Sequence, residues 1–158
     1  MNRIRQLTAL EANNYAVPLL NECIGCKICN YVSEYGCDQD DLVDLWGYFI
    51  KENLVGVIGL GSGLPGYNRR YLGYFAILES YRRKNIGSKL LAYLEDKINK
   101  MRIKEIIVET YDSDYFMPAR KFYEKNGFVK VGYLNDFLGN GVGAVFYSKK
   151  YKRLGDEK

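Results

Sequence analysis

A cluster of positive charge precedes the most regular helical pattern in the sequence. Arg82, Arg83 and Lys84 stand directly before Asn85 and Gly87 in the segment YRRKNIGSKLL. The first turn of a helix presents unpaired N–H groups and the positive end of the helix dipole, and this combination binds phosphate. Gly87 lets a ligand approach the backbone, and Asn85 tolerates the left-handed conformation or can serve as N-cap. The segment therefore predicts a phosphate site, with a solvated basic turn as the alternative.

Four cysteines lie close together in the sequence, at Cys23, Cys26, Cys29 and Cys37. Thiolates at such intervals are typical of iron–sulfur and zinc sites. However, a ferredoxin run has three residues between its third and fourth cysteines, and a zinc ribbon repeats its CxxC pair at a distance. Because the sequence has neither pattern, we expect no metal site here and interpret the cysteines as thiols that pack a helical layer. A four-cysteine metal site and a disulfide are the alternatives.

The segment GSGLPG, residues 61–66, matches the GxGxxG fingerprint of dinucleotide-binding folds. In those folds the glycines open a helix, so that the pyrophosphate meets the helix N-terminus. Here a proline and another strand pattern follow instead. We therefore expect a hairpin loop and no dinucleotide site.

Composition narrows the functional classes further. The sequence contains no histidine, which excludes Ser-His-Asp and Cys-His mechanisms and every histidine-bound metal. The net charge of +4 is too small to indicate nucleic acid as a partner. No apolar run approaches the roughly 20 residues that span a bilayer, and residues 1–7 lack the apolar core of a signal peptide. We therefore expect a cytoplasmic protein without a membrane partner.

The elements that would position these residues follow from hydrophobic periodicity. Apolar residues recur at helical spacing from Ile86 to Met101, and Asn126-Gly127 marks the end of a short helix that begins at Pro118. A hairpin is expected around Glu52-Asn53. The predicted helices span residues 9–22, 38–45, 85–101 and 118–126, and the predicted strands span residues 46–51, 54–60, 71–78, 105–110, 128–133 and 142–147. This order predicts a single α/β or α+β domain over residues 1–151, followed by a polar tail, residues 152–158.

The chain resembles the GNAT superfamily of acyl-CoA-dependent N-acyltransferases in two motifs. The family's RxxGxG/A pyrophosphate motif matches Arg82, Asn85 and Gly87, with Asn85 in place of the first motif glycine. A later family motif, an alanine followed by an aromatic-tyrosine pair and then Gly-Phe, matches the segment ARKFYEKNGF, residues 119–128. Phe116 stands where many members have an asparagine that contacts the pantetheine arm of the cofactor.

The resemblance implies a central mixed, mostly antiparallel sheet flanked by helices, with acetyl-CoA as co-substrate and an amine as acceptor. No metal is expected, and a homodimer is compatible with this expectation. The residues it implies for cofactor binding are Ala76, Ile77, Leu78, Arg82, Arg83, Lys84, Asn85, Ile86, Gly87, Ser88 and Phe122.

The resemblance also implies that Tyr123 is the acid that protonates the departing thiolate. A phenol stays protonated at neutral pH and has an acidity near that of a thiol. Since the chain has no histidine, the candidate bases are Glu109 and Glu79, followed by Asp112 and Asp114. The alternatives to an enzyme are a non-catalytic acyl-CoA-binding module, in which Tyr123 belongs only to the core, and a cysteine-ligated metal protein.

Overall fold

The computed structural model describes residues 2–24, 44–64, 68–139 and 141–152 of the chain. Two compact units are present, a first unit of Met1–Ser62 with Gly73–Met101 and a second unit of Gly63–Leu72 with Arg102–Lys158. Among the described residues no helix is both long and apolar enough to cross a bilayer.

The described residues form both strands and helices. The strands are β1 (Asn2–Gln6), β2 (Leu45–Ile50), β3 (Asn53–Leu64), β4 (Arg69–Ile77), β5 (Glu105–Tyr111), β6 (Val129–Leu134) and β7 (Ala144–Lys150). The helices are α1 (Ala9–Glu11), α2 (Val17–Ile24), α3 (Ile86–Lys100) and α4 (Met117–Lys125), with a π-helical turn (Ala12–Ala16) and 3₁₀ turns (Glu79–Tyr81 and Asp114–Phe116) between them.

The strands form a seven-stranded sheet in the order β1-β2-β3-β4-β5-β7-β6. The β1–β2, β2–β3, β5–β7 and β6–β7 ladders are antiparallel. The β4–β5 ladder is parallel and pairs Arg69 to Tyr71 with Glu105 to Ile107. The predicted mixed, mostly antiparallel sheet flanked by helices is therefore confirmed.

The first unit buries the N-terminal helical layer against its strands. Thr8 and Glu11 form a capping box at the start of α1, which satisfies backbone N–H groups that the helix itself cannot pair. The apolar residues that follow recur at helical spacing and pack with β2 and β3 in one core cluster, which includes Ala16, Leu20, Cys23, Phe49 and Val57. The prediction of a helix over residues 9–22 is confirmed, although a π turn interrupts it.

Helix α3 is the longest helix of the described residues and lies in the first unit. Its buried side chains are Ile86, Leu90, Leu91, Leu94 and Ile98. This is the apolar stripe that the sequence predicted, because residues three and four positions apart share one face of a helix. Met101 follows the last helical residue and is 39% exposed, so it does not extend the buried stripe.

The second unit is built around β5, in which Ile106 and Val108 are buried. Pro118 lies in the first turn of α4, where its missing N–H costs no helical hydrogen bond. The helix ends at Lys125 with Asn126 as its C-cap, and Gly127 adopts a left-handed backbone with φ of 82°. The predicted limits of this helix are therefore confirmed to within a residue.

Three local expectations need correction. The β2–β3 turn is formed by Lys51 and Glu52 rather than Glu52-Asn53, because Lys51 takes the left-handed conformation. The expected loop at residues 61–66 is wrong for residues 61–64, which extend β3, and residues 65–66 lie outside the described residues. The expected helix over residues 38–45 is wrong at Leu45, which begins β2, and residues 38–43 also lie outside the described residues.

Candidate active site

The residues of the predicted phosphate site lie on the turn from β4 to α3, within the first unit. After Ile77 ends β4, a 3₁₀ turn over Glu79–Tyr81 brings the chain back toward the strand end. The Arg82 side chain then donates from Nε to the Ile77 carbonyl oxygen at 3.1 Å. The Lys84 ammonium donates to the Ser80 carbonyl oxygen at 2.9 Å. The two cations are therefore held by backbone oxygens of the turn itself.

The backbone of this turn is left-handed at two residues, Arg83 with φ of 58° and Asn85 with φ of 59°. Asn85 occupies the N-cap position of α3, and its carbonyl accepts from the Lys89 N–H at 3.1 Å. However, its side chain makes no capping hydrogen bond. The left-handed interpretation of Asn85 is therefore confirmed, and its side chain does not occupy the N–H groups of the first helical turn.

Exposure divides the residues of the turn into a solvent-facing group and a buried anchor. Arg83, Lys84, Asn85 and Ser88 are exposed, whereas Ile86 is 4% exposed and packs into the core of the first unit. The anchor fixes the start of a fifteen-residue helix, whose first N–H groups have no helical acceptor. Cations around such a helix start favour an anionic ligand.

The predicted cofactor-binding residues at the end of β4, residues 76–78, make hydrogen bonds within the first unit. The Leu78 N–H donates to the Val55 carbonyl oxygen at 3.0 Å. The Ile77 carbonyl accepts from Arg82 and also from the Cys23 thiol, with Sγ at 3.3 Å. Ala76 is 7% exposed. The proposed cofactor contacts of residues 76–78 stay predictions.

Tyr123 lies on α4 in the second unit and is 6% exposed. Its ring centroid is 5.9 Å from that of Phe122, 5.5 Å from that of Phe128 and 6.0 Å from that of Tyr147. Burial raises the pKa of the Tyr123 phenol well above its ordinary value. The phenol is therefore protonated across the physiological pH range, and its role as an acid stays a prediction.

The candidate base Glu109 lies on β5 in the second unit, and its side chain is exposed. Its Oε1 accepts a hydrogen bond from the Tyr111 hydroxyl at 3.0 Å. Burial, followed by the charge and hydrogen bond of Glu109, raises the pKa of Tyr111 to about 12. Tyr111 is therefore a fixed donor that orients the Glu109 carboxylate. We missed it in the sequence, although residues two apart on a strand share a face and could have indicated the pair.

The other candidate carboxylates differ in their surroundings. Glu79 is exposed on the 3₁₀ turn of the first unit. Asp112, in the second unit, accepts from the Tyr133 hydroxyl at 2.8 Å and from the Gly143 N–H at 2.9 Å. These hydrogen bonds lower the pKa of Asp112, with the bond from Tyr133 as the largest cause. A carboxylate held in this way is a weak base, and Asp112 stays behind Glu109 and Glu79 among the predicted bases.

Arg120 is a structural residue of the second unit that the sequence did not indicate. Its Nη1 donates to the carbonyl oxygens of Tyr111 and Ser113, the latter at 2.9 Å. The segment between β5 and α4 is thereby tied to the helix that carries Tyr123. Phe116 lies in this segment, and its ring is 5.1 Å from that of Tyr111.

Only Cys23 of the four cysteines belongs to the described residues, and its thiol is buried at 5% exposure. Within residues 2–24, 44–64, 68–139 and 141–152, no group of three or more Cys, Asp or Glu side chains is placed to hold a metal ion. Cys26, Cys29 and Cys37 lie outside these residues. The expectation of thiols rather than a metal site therefore stays a prediction.

A curated protein is similar in sequence to about half of this chain. An N-alpha-acetyltransferase of Saccharolobus solfataricus is 37% identical over 88 residues, which cover 54% of this chain and 52% of that protein. The chain thus spans about half the length of this curated relative.

Two solved structures share the fold. The ribosomal-protein-S18-alanine N-acetyltransferase of Escherichia coli has a TM-score of 0.81 at 16% identity and covers 100% of this chain and 99% of its own. The PaiA N-acetyltransferase of Thermoplasma acidophilum, solved in complex with coenzyme A, has a TM-score of 0.71 at 20% identity and covers 96% of this chain and 99% of its own. The sequence model of the acetyltransferase (GNAT) family matches residues 27–128. Since this match covers more than half of the sequence, the chain belongs to the acetyltransferase (GNAT) family.

Proposed function

We propose that this protein transfers the acetyl group of acetyl-CoA to an amine. The observation that carries this proposal is the turn from β4 to α3, where exposed cations and a left-handed Asn85 precede the uncapped start of α3. Unpaired N–H groups at a helix start bind phosphate oxygens, and the pyrophosphate of coenzyme A supplies such a group. Gly87, in the first turn, leaves room for the ligand against the backbone.

The reaction needs a neutral amine and a proton for the leaving group. The amine nitrogen attacks the thioester carbonyl carbon, a C–N bond forms and the C–S bond breaks. The amine loses one proton to a base, and the thiolate of coenzyme A gains one from an acid. Tyr123 is our proposed acid, because it is the tyrosine of the matched family motif and its phenol carries a proton at neutral pH. Burial raises the pKa of this phenol and makes it a weaker acid than an exposed tyrosine. Glu109 is the first candidate base and Glu79 the second.

We also propose that the acceptor is the α-amino group of a polypeptide. Its ordinary pKa of about 7.7 to 8.0 leaves about a tenth or more of it neutral at pH 7, whereas a lysine side chain near 10.4 is almost wholly charged. The chain has no histidine, and its candidate bases are exposed carboxylates. Carboxylates are weak bases compared with an amine. Such a site suits the less basic amine. The relative named N-alpha-acetyltransferase supports the same acceptor class.

The test is an acetylation assay with matched peptides. Thiol release from acetyl-CoA is followed with a peptide that has a free α-amine and no lysine, and with the same peptide blocked at its N-terminus and carrying one lysine. Turnover with the first peptide only is the expected result. Turnover with the lysine peptide alone would overturn the acceptor proposal while supporting acetyl transfer.

The proposed acid is tested by Tyr123→Phe, with Tyr147→Phe as control. Tyr147 is a buried neighbour in the same ring cluster, and its hydroxyl donates to Glu124 at 2.8 Å. We expect Tyr123→Phe to lower kcat by about 10²-fold or more with coenzyme A binding retained, and Tyr147→Phe to leave kcat close to wild type. Equal effects would assign Tyr123 to the core alone. Cofactor binding without turnover by the unmodified protein would favour the non-catalytic acyl-CoA-binding module.

Removal of charge tests the phosphate turn. Lys84→Ala should weaken coenzyme A binding in a salt-dependent way, whereas Lys100→Ala removes the same charge at the other end of α3 and should not. Calorimetric titration at two salt concentrations measures both. The same loss in both variants would indicate a general charge effect and contradict a site at the helix start.

A further inference from the structure

Cys23 makes a contact that neither the fold nor the proposed chemistry has used. Its thiol donates to the carbonyl oxygen of Ile77, the last residue of β4, with Sγ at 3.3 Å. The same oxygen accepts from Arg82 Nε at 3.1 Å. All three residues belong to the first unit. A residue of α2 and a cation of the phosphate turn therefore meet at one atom of β4.

The Ile77 carbonyl oxygen accepts two side-chain hydrogen bonds, one from Cys23 and one from Arg82. A carbonyl oxygen has two lone pairs, so the thiol and the guanidinium together use its ordinary capacity. Because the Arg82 contact is made through Nε–H, it sets the direction of the planar guanidinium as a whole. If the thiol were lost, the carbonyl would lack one donor, and the strand end and the guanidinium could shift to compensate.

The thiol is placed and protonated so that it can donate, although an S–H group is a weaker donor than O–H or N–H. Cys23 is 5% exposed, and it lies in the core cluster with Leu20 and Ala76. Burial raises the pKa of the Cys23 thiol, and the neighbouring Arg82 only partly offsets this effect. The group therefore keeps its proton at neutral pH, which a hydrogen bond to a carbonyl requires.

We infer that Cys23 is a positioning residue, which orients Arg82 and the end of β4 for binding of the coenzyme A pyrophosphate. This inference rests on the proposed function. It assigns a purpose to the first cysteine of the CIGCKIC segment that involves neither metal nor disulfide. A thiol in α2 thereby links the N-terminal helical layer to the turn that leads into α3.

The test compares Cys23→Ala and Cys23→Ser with Leu20→Ala. Serine keeps a donor at the site, whereas alanine removes it. Leu20 lies one turn earlier on α2, is 3% exposed and belongs to the same core cluster, so Leu20→Ala removes packing alone. We expect Cys23→Ala to raise the Kd for coenzyme A by about 3- to 10-fold, the scale of one hydrogen bond. Cys23→Ser should recover most of the affinity, and Leu20→Ala should lower Tm but leave the Kd near wild type.

A double-mutant cycle with Arg82→Ala shows whether the two residues act as one unit. The effect of Cys23→Ala on the Kd should disappear once Arg82 is absent. Additive effects, or a wild-type Kd in Cys23→Ala, would overturn the inference.

A second measurement needs no cofactor. Hydrogen exchange of the Arg82 Nε–H, assigned by the signal lost in Arg82→Lys, should be slow in the unmodified protein and in Cys23→Ser and faster in Cys23→Ala. Equal exchange in Cys23→Ala and the unmodified protein would overturn the positioning role. If the unmodified protein failed to bind coenzyme A, the proposed function would fall, and this exchange measurement would still decide whether Cys23 orients Arg82.

Discussion

Asn85→Val should destabilise the protein through backbone conformation alone. Asn85 has φ of 59° and ψ of 12°, and its side chain makes no capping hydrogen bond. The left-handed region costs most L-residues about 1 to 2 kcal/mol, asparagine less, and a β-branched residue is a clear outlier there. We therefore expect a loss of about 1 to 2 kcal/mol. For a chain of this size that corresponds to a fall in Tm of about 2 to 8 °C.

Two controls separate this cause from others. Asn85→Gly removes the same side chain but accepts the left-handed backbone, so it should retain both Tm and coenzyme A binding. Asn99→Val makes the same replacement within regular α3, where valine and asparagine have similar helix propensity, and should be nearly neutral. Thermal unfolding and calorimetric titration of the three variants measure these effects. If Asn85→Gly lowered the Tm as much as Asn85→Val, loss of a side-chain contact and not the backbone dihedral would explain the lower stability. That result would refute our reasoning.

Two further predictions concern stability. Leu90 is fully buried on α3, so Leu90→Ala should lower the free energy of unfolding by about 2 to 5 kcal/mol in a urea titration. Leu10 is 70% exposed, so Leu10→Ala should change it by less than about 0.5 kcal/mol. Equal losses in the two variants would contradict the assignment of the core. The hydrogen bond from Arg5, joined by those from Thr8, lowers the pKa of Glu11 to about 2, so its contribution is complete above about pH 4.5 and is lost as the pH falls toward 2. The difference in Tm between the unmodified protein and Glu11→Gln should therefore shrink over that range, and a difference that does not vary with pH would refute this account.

The features that depend on neighbouring residues could be predicted from the sequence. The apolar stripe of α3, the end of α4 at Gly127 and the left-handed Asn85 all follow from periodicity or from the dihedral preferences of single residues. The candidate phosphate turn was found for the same reason, because a helix start and its flanking cations are contiguous in the chain.

The three-dimensional contacts of the site were decided by the tertiary structure. Cys23 and Ile77 are separated by 54 residues, and no local pattern indicates that a thiol and a guanidinium share one carbonyl. Residues 61–64 extend β3 despite their glycines, because hydrogen bonding within a sheet outweighs local turn propensity. The burial of Tyr123 among Phe122, Phe128 and Tyr147 likewise depends on how α4 packs against β7. The local sequence determines which backbone conformations are low in energy. The donors, acceptors and burial that set the pKa and orientation of each functional group come from residues that only folding brings together.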